Sequence, residues 1–340
     1  MLRLYKPIEH EIFTLHKLFS HVVKNVWCEA CEENVCDDQL EQAFKDIYHY
    51  TYKKKTLREE VERIYEIFKG LNGEEKERIK NSFDTNNHIE ALCNGEPPVY
   101  LGDLPEVIEK DVKPLMVWCY ETLLDKGKVA GDKLDYYKKL IEENEFDNCP
   151  CCGLVPFEGL ESICREAYDH YLPKSEYPFA SINFQNLVPL CYKCNSDRKK
   201  AKDPIENERK AFYPFSTEEH EITITSAMTL DIGRNTKELT FADLEIDFIG
   251  DNEKIATWDW LFDISDRYGE RIQKFTKKFL NKIIRRHKQL KAANNTWSIN
   301  DTLEWFLGDY KLDYYDDEKF LKIAVLNAIK KDEAFLQVYR

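Results

Sequence analysis

Cys149-x-x-Cys152 and Cys191-x-x-Cys194 bracket an Asp169-His170 step, and Asn195 follows the last cysteine directly. Two tight turns of this spacing offer four thiolates, the ligand set of a closed tetrahedral zinc site. The alternative is four buried thiols spaced by accident, and paired turns at both ends of one short stretch argue against it. Cys151 lies inside the first turn, where its side chain should point away from a metal. Asp169, His170 and Asn195 carry a different chemistry. They supply an anionic oxygen ligand, a base and a neutral oxygen ligand, the groups that metal-assisted hydrolysis needs. An imidazole with an ordinary pKa of about 6.5 suits proton abstraction at neutral pH. Neighbours on a strand face opposite ways, so a strand end or local distortion must bring Asp169 and His170 to one site. Alone, an Asp-His pair is more often a surface turn.

The order of residues resembles a known family. Cys149-Pro-Cys-Cys-Gly153, Asp169-His-Tyr-Leu-Pro-Lys174, Asn186-Leu-Val-Pro-Leu-Cys191 and Cys194-Asn195-Ser196 together look like an HNH endonuclease of the ββα-metal (His-Me finger) class. The string from Asp169 to Lys174 is similar to HNH proteins of the Septu and retron anti-phage type, which work beside an ATPase. The resemblance implies His170 as general base and Asn186 as the residue that pins the loop and orients it. It implies Asp169 and Asn195 as ligands of a catalytic divalent ion such as Mg²⁺, and Cys149, Cys152, Cys191 and Cys194 as ligands of a structural zinc. DNA, or alternatively RNA, is the implied substrate, cut to 5′-phosphate and 3′-hydroxyl ends. The other functional class compatible with these residues is a zinc-stabilised nucleic-acid-binding or adaptor module without catalysis. The matching stretch is about a sixth of the chain and leaves its flanks unassigned.

The 340 residues carry a net charge of −14, which opposes binding to a phosphate backbone unless basic surface is concentrated locally. Two such places exist. Arg198, Lys199 and Lys200 follow the cysteine pair, with Lys174 upstream; Arg271 to Lys291 holds nine basic residues and no acidic one. Lys278, Lys282, Arg285 and Arg286 of that run are candidate nucleic-acid contacts, against the plainer reading of a solvated helix face. Asp313 to Glu318, by contrast, is an acidic run.

No apolar run reaches the length of a membrane span, and Met1-Leu-Arg-Leu-Tyr-Lys6 lacks the apolar core of a signal peptide, so a cytoplasmic protein is expected. Eleven cysteines in a reducing compartment are better explained by metal ligation and buried thiols than by disulfides. Cys28, Cys31 and Cys36, near His16 and His21, form a weaker candidate for a second zinc site. Cys93 and Cys119 are isolated in helical stripes.

The expected fold is α+β, with a small zinc-bound ββα-metal module at 146–215. A helical region at 1–145 precedes it, and a mixed, mainly helical region at 216–340 follows. Thr56-x-x-Glu59 is a capping box ahead of Leu57, Val61, Ile64 and Phe68, with Gly70 and Gly73 ending that helix. A second helical pattern spans Leu104 to Leu124, divided by Pro114, and Gly127 to Gly131 reads as a loop. In the module, a strand ending at His170 leads through a loop to a strand at Leu187–Leu190 and a helix from near Cys194 to Pro204. Glu221–Thr225 and Leu244–Ile249 alternate as half-buried strands. Ile272, Phe275, Phe279 and Ile283 make the inner stripe of the basic helix, and Phe320, Ile323, Leu326 and Ile329 that of a last one.

Overall fold

The capping box at Thr56 forms as its sequence dictates: the hydroxyl accepts from Glu59 N at 3.2 Å while the Glu59 carboxylate takes the Thr56 N–H at 2.6 Å. The computed structural model describes residues 1–126, 129–162, 164–218, 220–232 and 239–339. They form a mixed α+β protein with small antiparallel sheets. The chain divides into two compact units. One comprises Met1, Arg3–Phe146 and Glu158–Thr217, the other Leu2, Asp147–Phe157 and Glu218–Arg340. The stretch 146–215, read from sequence as one module, contributes residues to both.

The first unit is mostly helical until residue 144. Helix α1 (Thr14–His21) runs into a π-turn, and α2 (Leu57–Lys69) follows the Thr56 cap. Leu57, Val61, Ile64 and Phe68 are all buried, and Trp27 donates its indole N–H to the Val61 carbonyl at 3.1 Å. Gly70 caps α2, whereas Gly73 opens the next helix, α3 (Gly73–Asn87), because Asn72 supplies a second capping box there. Pro114 sits in the first turn of α4 (Lys113–Glu121), where no intrahelical N–H is needed, and a π-turn precedes it. Helix α5 (Lys133–Asn144) is capped by Asp132. Of the expected Gly127–Gly131 loop, residues 127 and 128 lie outside the described residues; at Gly131 (φ +85°) a Cβ would fall 2.3 Å from the Ile12 backbone.

His16 on α1 stacks on Phe83 with ring centroids 5.6 Å apart, and its Nε2 has no hydrogen-bond partner. Burial, opposed by a bond to Asn87 and aided by Lys24, pushes its pKa down to about 4. The folded ring therefore refuses a proton that the unfolded one accepts below about 6.5. His16 thus leaves stability intact above that value and erodes it as pH falls toward 4, by about 1.4 kcal/mol per pH unit. Urea denaturation at pH 7.5, 6.5 and 5.5 should show this decline, and a His16→Gln protein should show less of it. Identical slopes in the two proteins would contradict the burial.

Beyond α5, the short strands β1 (Tyr168–His170) and β2 (Leu187–Pro189) pair antiparallel, with Asp169 opposite Val188 and His170 opposite Leu187. The one-turn helix α6 (Tyr192–Cys194) continues as a π-turn, Asn195–Lys199. It stops at Lys200, which takes a φ of +53°, ahead of Pro204. Aromatic packing seats the hairpin on its unit. Phe184 meets Tyr136 of α5 at 5.1 Å and Tyr168 at 5.5 Å, Phe179 meets Phe83 at 5.1 Å, and the Tyr171 hydroxyl donates to the Phe212 carbonyl at 2.7 Å.

In the second unit the two expected strands are the outer ends of a longer ribbon, β3 (Thr223–Ile232) against β4 (Leu239–Ile249), with a register shift between Ala227 and Thr229. Helices α7 (Asn252–Phe262), α8 (Ile264–Ala293), α9 (Ile299–Leu312) and α10 (Lys319–Ile329) follow. Ile272, Phe279 and Ile283 of α8 are buried with Leu303 and Phe306 of α9 and Phe320, Leu326 and Ile329 of α10, while Phe275 is only half-buried. The acidic run is spent on local pairing: Glu318 holds Arg271, and Asp313 holds Lys319. No helix among the described residues is long and apolar enough to cross a membrane.

Candidate functional site

The sulfur atoms of Cys149, Cys152, Cys191 and Cys194 gather within 4.8 Å of one another, and all four residues are buried. Zinc–sulfur bonds of about 2.3 Å in a tetrahedron place sulfurs roughly 3.8 Å apart, so this cluster fits a zinc ion after small adjustments. The first turn closes through Gly153 N to Cys149 O at 2.7 Å, and Cys149 N donates to Val155 O at 2.8 Å. Gly153 holds φ +67° there, and a Cβ would meet Leu2 Cδ2 at 2.7 Å. The carbonyls of this turn are held within their own unit, Cys151 O by the Trp258 indole and Cys152 O by the Tyr268 hydroxyl, each at 3.0 Å. The second turn is the start of α6, where the Cys191 carbonyl accepts from Cys194 N at 2.9 Å and Asn195 N at 3.0 Å. Cys28 and Cys36 are separately buried, and burial pushes both thiols up to about 12. Among the described residues they join no metal-holding group with Cys31.

Asp169 and His170 diverge from β1 as adjacent strand residues must. Asp169 is 3% exposed and faces the Lys199 ammonium, whose Nζ lies 3.1 Å from Oδ2 and 3.3 Å from Oδ1. Burial pushes the Asp169 carboxyl up, and Lys199 pulls it back. His170 turns the other way, with Nε2 3.0 Å from the Ser181 carbonyl and its ring edge-on to Tyr120 at 4.5 Å between centroids. A carbonyl only accepts, so Nε2 carries the proton and Nδ1 keeps the open lone pair. Burial, partly offset by the Ser181 bond and reinforced by Lys174 and Lys199, pushes the imidazole down to about 3. It is neutral at physiological pH.

Asn186 is 0% exposed and clasps the loop between the strands. Its Oδ1 accepts Leu172 N at 2.8 Å, and its Nδ2 donates to Leu172 O at 2.9 Å and Ala180 O at 3.3 Å. The carbonyl next to Ala180 is the one that holds His170. Asn195 is half-buried beside the lead into β1, where its Nδ2 makes a long 3.4 Å contact with Ala167 O. Ala167 directly precedes β1, so this contact sets Asn195 beside the start of the strand that bears Asp169.

For a hard divalent ion the donor types fit: a carboxylate and an amide oxygen. Asp169 Oδ2 is also a buried atom without a hydrogen-bond partner, despite its ion-pair distance to Lys199. That distance is short enough for charge attraction, so an ion held by this oxygen would share it with the ammonium.

Among the candidate phosphate contacts the structure makes one correction. Lys199 is 0% exposed and cannot reach a phosphate, because its ammonium is enclosed between Asp169 and the His170 carbonyl. Arg198 is half-buried and bonds the Lys193 carbonyl at 3.2 Å, and Lys200 is exposed. Lys174 is bound to Glu121 at 2.6 Å. On α8, Lys274, Lys278, Lys282 and Arg285 are exposed at steps of three or four, forming one face, and Arg286 is half-buried with its guanidinium 5.0 Å above the Trp305 ring. Arg271 pairs with Glu318, whereas none of those four meets a carboxylate among the described residues. Lys282 instead reaches the Tyr310 hydroxyl at 3.2 Å.

Ser181, Tyr120 and the inward turn of Lys199 were not foreseen from sequence. Backbone acceptors leave no residue-type signal, and Lys199 was hidden in a basic triplet.

Comparison with known proteins adds one partial likeness. A 93-residue stretch is 30% identical to Protein ea31 of Escherichia phage lambda, covering 27% of this chain and 28% of that protein. The match thus spans little more than a quarter of the relative's length. No family profile and no solved structure matches the chain.

Proposed function

We propose that this protein is a metal-dependent HNH-type endonuclease that hydrolyses DNA phosphodiester bonds. The observation that carries the reading is the neutral His170 imidazole, held through Nε2 by a loop that Asn186 clasps, on the strand that also bears Asp169. In this reading His170 Nδ1 takes a proton from water, and the hydroxide attacks phosphorus. The bond to the 3′ oxygen breaks, and that oxygen takes a proton from solvent, leaving 5′-phosphate and 3′-hydroxyl ends. A divalent ion on Asp169 and Asn195 would supply positive charge beside the phosphate. Burial weakens His170 as a base in the free protein, but an anionic phosphodiester beside it raises its proton affinity. Ser181 fixes the tautomer, and Tyr120 covers one side of the ring.

Supercoiled plasmid with purified protein and Mg²⁺ should be nicked or linearised, and EDTA should prevent it. Intact plasmid under all divalent ions, with DNA still bound, would favour the non-catalytic binding module. The Septu- and retron-like string at Asp169–Lys174 supports an anti-phage setting with an ATPase partner, and co-purification from the native host tests that.

DNA engagement in an acidic chain needs a local cationic surface, and the unpaired face of α8 provides one. Lys274, Lys278 and Arg285 are the residues to reverse, since Lys282 also packs on Tyr310. Replacing all three by Glu should weaken duplex binding by at least about ten-fold and lower the slope of log K against log salt by up to about 3. Zinc content should not change. Unaltered affinity and slope, measured by fluorescence anisotropy, would assign this face to something other than DNA.

A further inference from the structure

A lysine ammonium is seldom sealed from water, because its desolvation must be offset by a partner. Lys199 is sealed at 0% exposure. It donates to the His170 carbonyl at 2.9 Å and to Asp169 Oδ1 at 3.3 Å, leaving the buried Oδ2 without a hydrogen bond. The π-turn Asn195–Lys199 is what points it inward: Lys200 N bonds to Asn195 O at 2.8 Å, an i→i+5 closure that rotates residue 199 toward the side of Cys194. One buried carboxylate therefore has a fixed internal cation beside both of its oxygens, Oδ2 at 3.1 Å and Oδ1 at 3.3 Å.

Resting on the reading of Asp169 and Asn195 as ion ligands, we propose that Lys199 is a positioning residue that sets how tightly the site holds its divalent ion. Ammonium and ion draw on the same single negative charge. Two cations a few ångströms apart in a buried setting repel strongly, so the free protein holds the ion loosely. A phosphodiester brings the missing negative charge, so the ion is held firmly only when nucleic acid is present. The buried lysine thus couples ion binding to substrate binding. With the ion absent, it keeps Asp169 from being an uncompensated buried carboxylate.

The test uses the full-length, zinc-loaded protein titrated with Mn²⁺ and followed by electron paramagnetic resonance. Lys199→Met should bind Mn²⁺ at least about ten-fold more tightly than the wild type. That gain should vanish in a Lys199→Met, Asp169→Asn double variant. Uncleavable duplex DNA should tighten Mn²⁺ binding in the wild type much more than in Lys199→Met. Equal or weaker binding by a folded Lys199→Met protein overturns the proposal, as does absence of Mn²⁺ binding in both. If Lys199→Met fails to fold, the wild type decides: the Lys199 ¹⁵Nζ resonance, identified by its loss in Lys199→Arg, should shift in step with Mg²⁺ saturation. A stationary resonance at saturating Mg²⁺ overturns the proposal. The expected Mn²⁺ pattern in a protein that cuts no plasmid would leave this inference standing and remove the nuclease reading.

Discussion

A His170→Ala protein is expected to fold, to retain its zinc and to cleave plasmid about 10²–10⁴-fold more slowly than the wild type. The imidazole makes one hydrogen bond, to the Ser181 carbonyl, and one ring contact, to Tyr120. Its removal leaves the Asp169–Lys199 pair, the Asn186 clasp and the four thiolates in place. What disappears is Nδ1, the acceptor for the water proton. A nicking assay at equal protein concentration, alongside circular dichroism and metal analysis, separates lost chemistry from lost fold. A folded His170→Ala protein with the full wild-type rate would remove His170 from the mechanism and the nuclease assignment with it.

Cys149→Ser or Cys194→Ser should have the larger effect on the protein itself: zinc-depleted, insoluble or unfolded chain. Zinc held by a set of this kind binds with an apparent free energy of about 10–16 kcal/mol, much of it realised as folding. That equals or exceeds the roughly 5–15 kcal/mol by which a folded domain outlasts its unfolded state. Losing one thiolate weakens the ion's hold and leaves three buried thiols to be desolvated without it. Cys164→Ser is the control, since Cys164 is exposed and outside the cluster. Inductively coupled plasma analysis should give one zinc per wild-type chain and one in Cys164→Ser. Unchanged stoichiometry in either cluster variant would contradict the assignment, and a wild-type value clearly above one would return attention to Cys28, Cys31 and Cys36.

What could be seen in the sequence was what depends on short spacing. The Thr56 cap is a four-residue device, so residue types alone specify it. The two cysteine pairs are equally local, each a four-residue device. The ribbon was visible only at Glu221–Thr225 and Leu244–Ile249, where apolar and polar residues alternate; residues 233–238 lie outside the described ones. Lys199 was misread for a geometric reason. In an α-helical continuation its phase, five residues after Cys194, would turn it away from the Cys194 face, and no residue in the triplet signals the wider turn. The partners of His170 and Asn186 are mainly carbonyls, which every residue possesses, so their identity waits on the path of the chain.

The π-turn also makes this segment sensitive to length where it tolerates exchange. Ser196 and Asp197 are exposed, and either can change type with little consequence for the interior. Inserting a residue between Ser196 and Asp197 is another matter. It leaves every charged and ligating side chain present but places Lys199 six residues after Cys194, a phase that points away from the Cys194 face of a helix. The sealed ammonium is then swung toward water, and Asp169 loses its internal counter-charge. Such a lengthened chain would carry the full set of site residues and still be expected to unfold more readily than one with alanine at position 196.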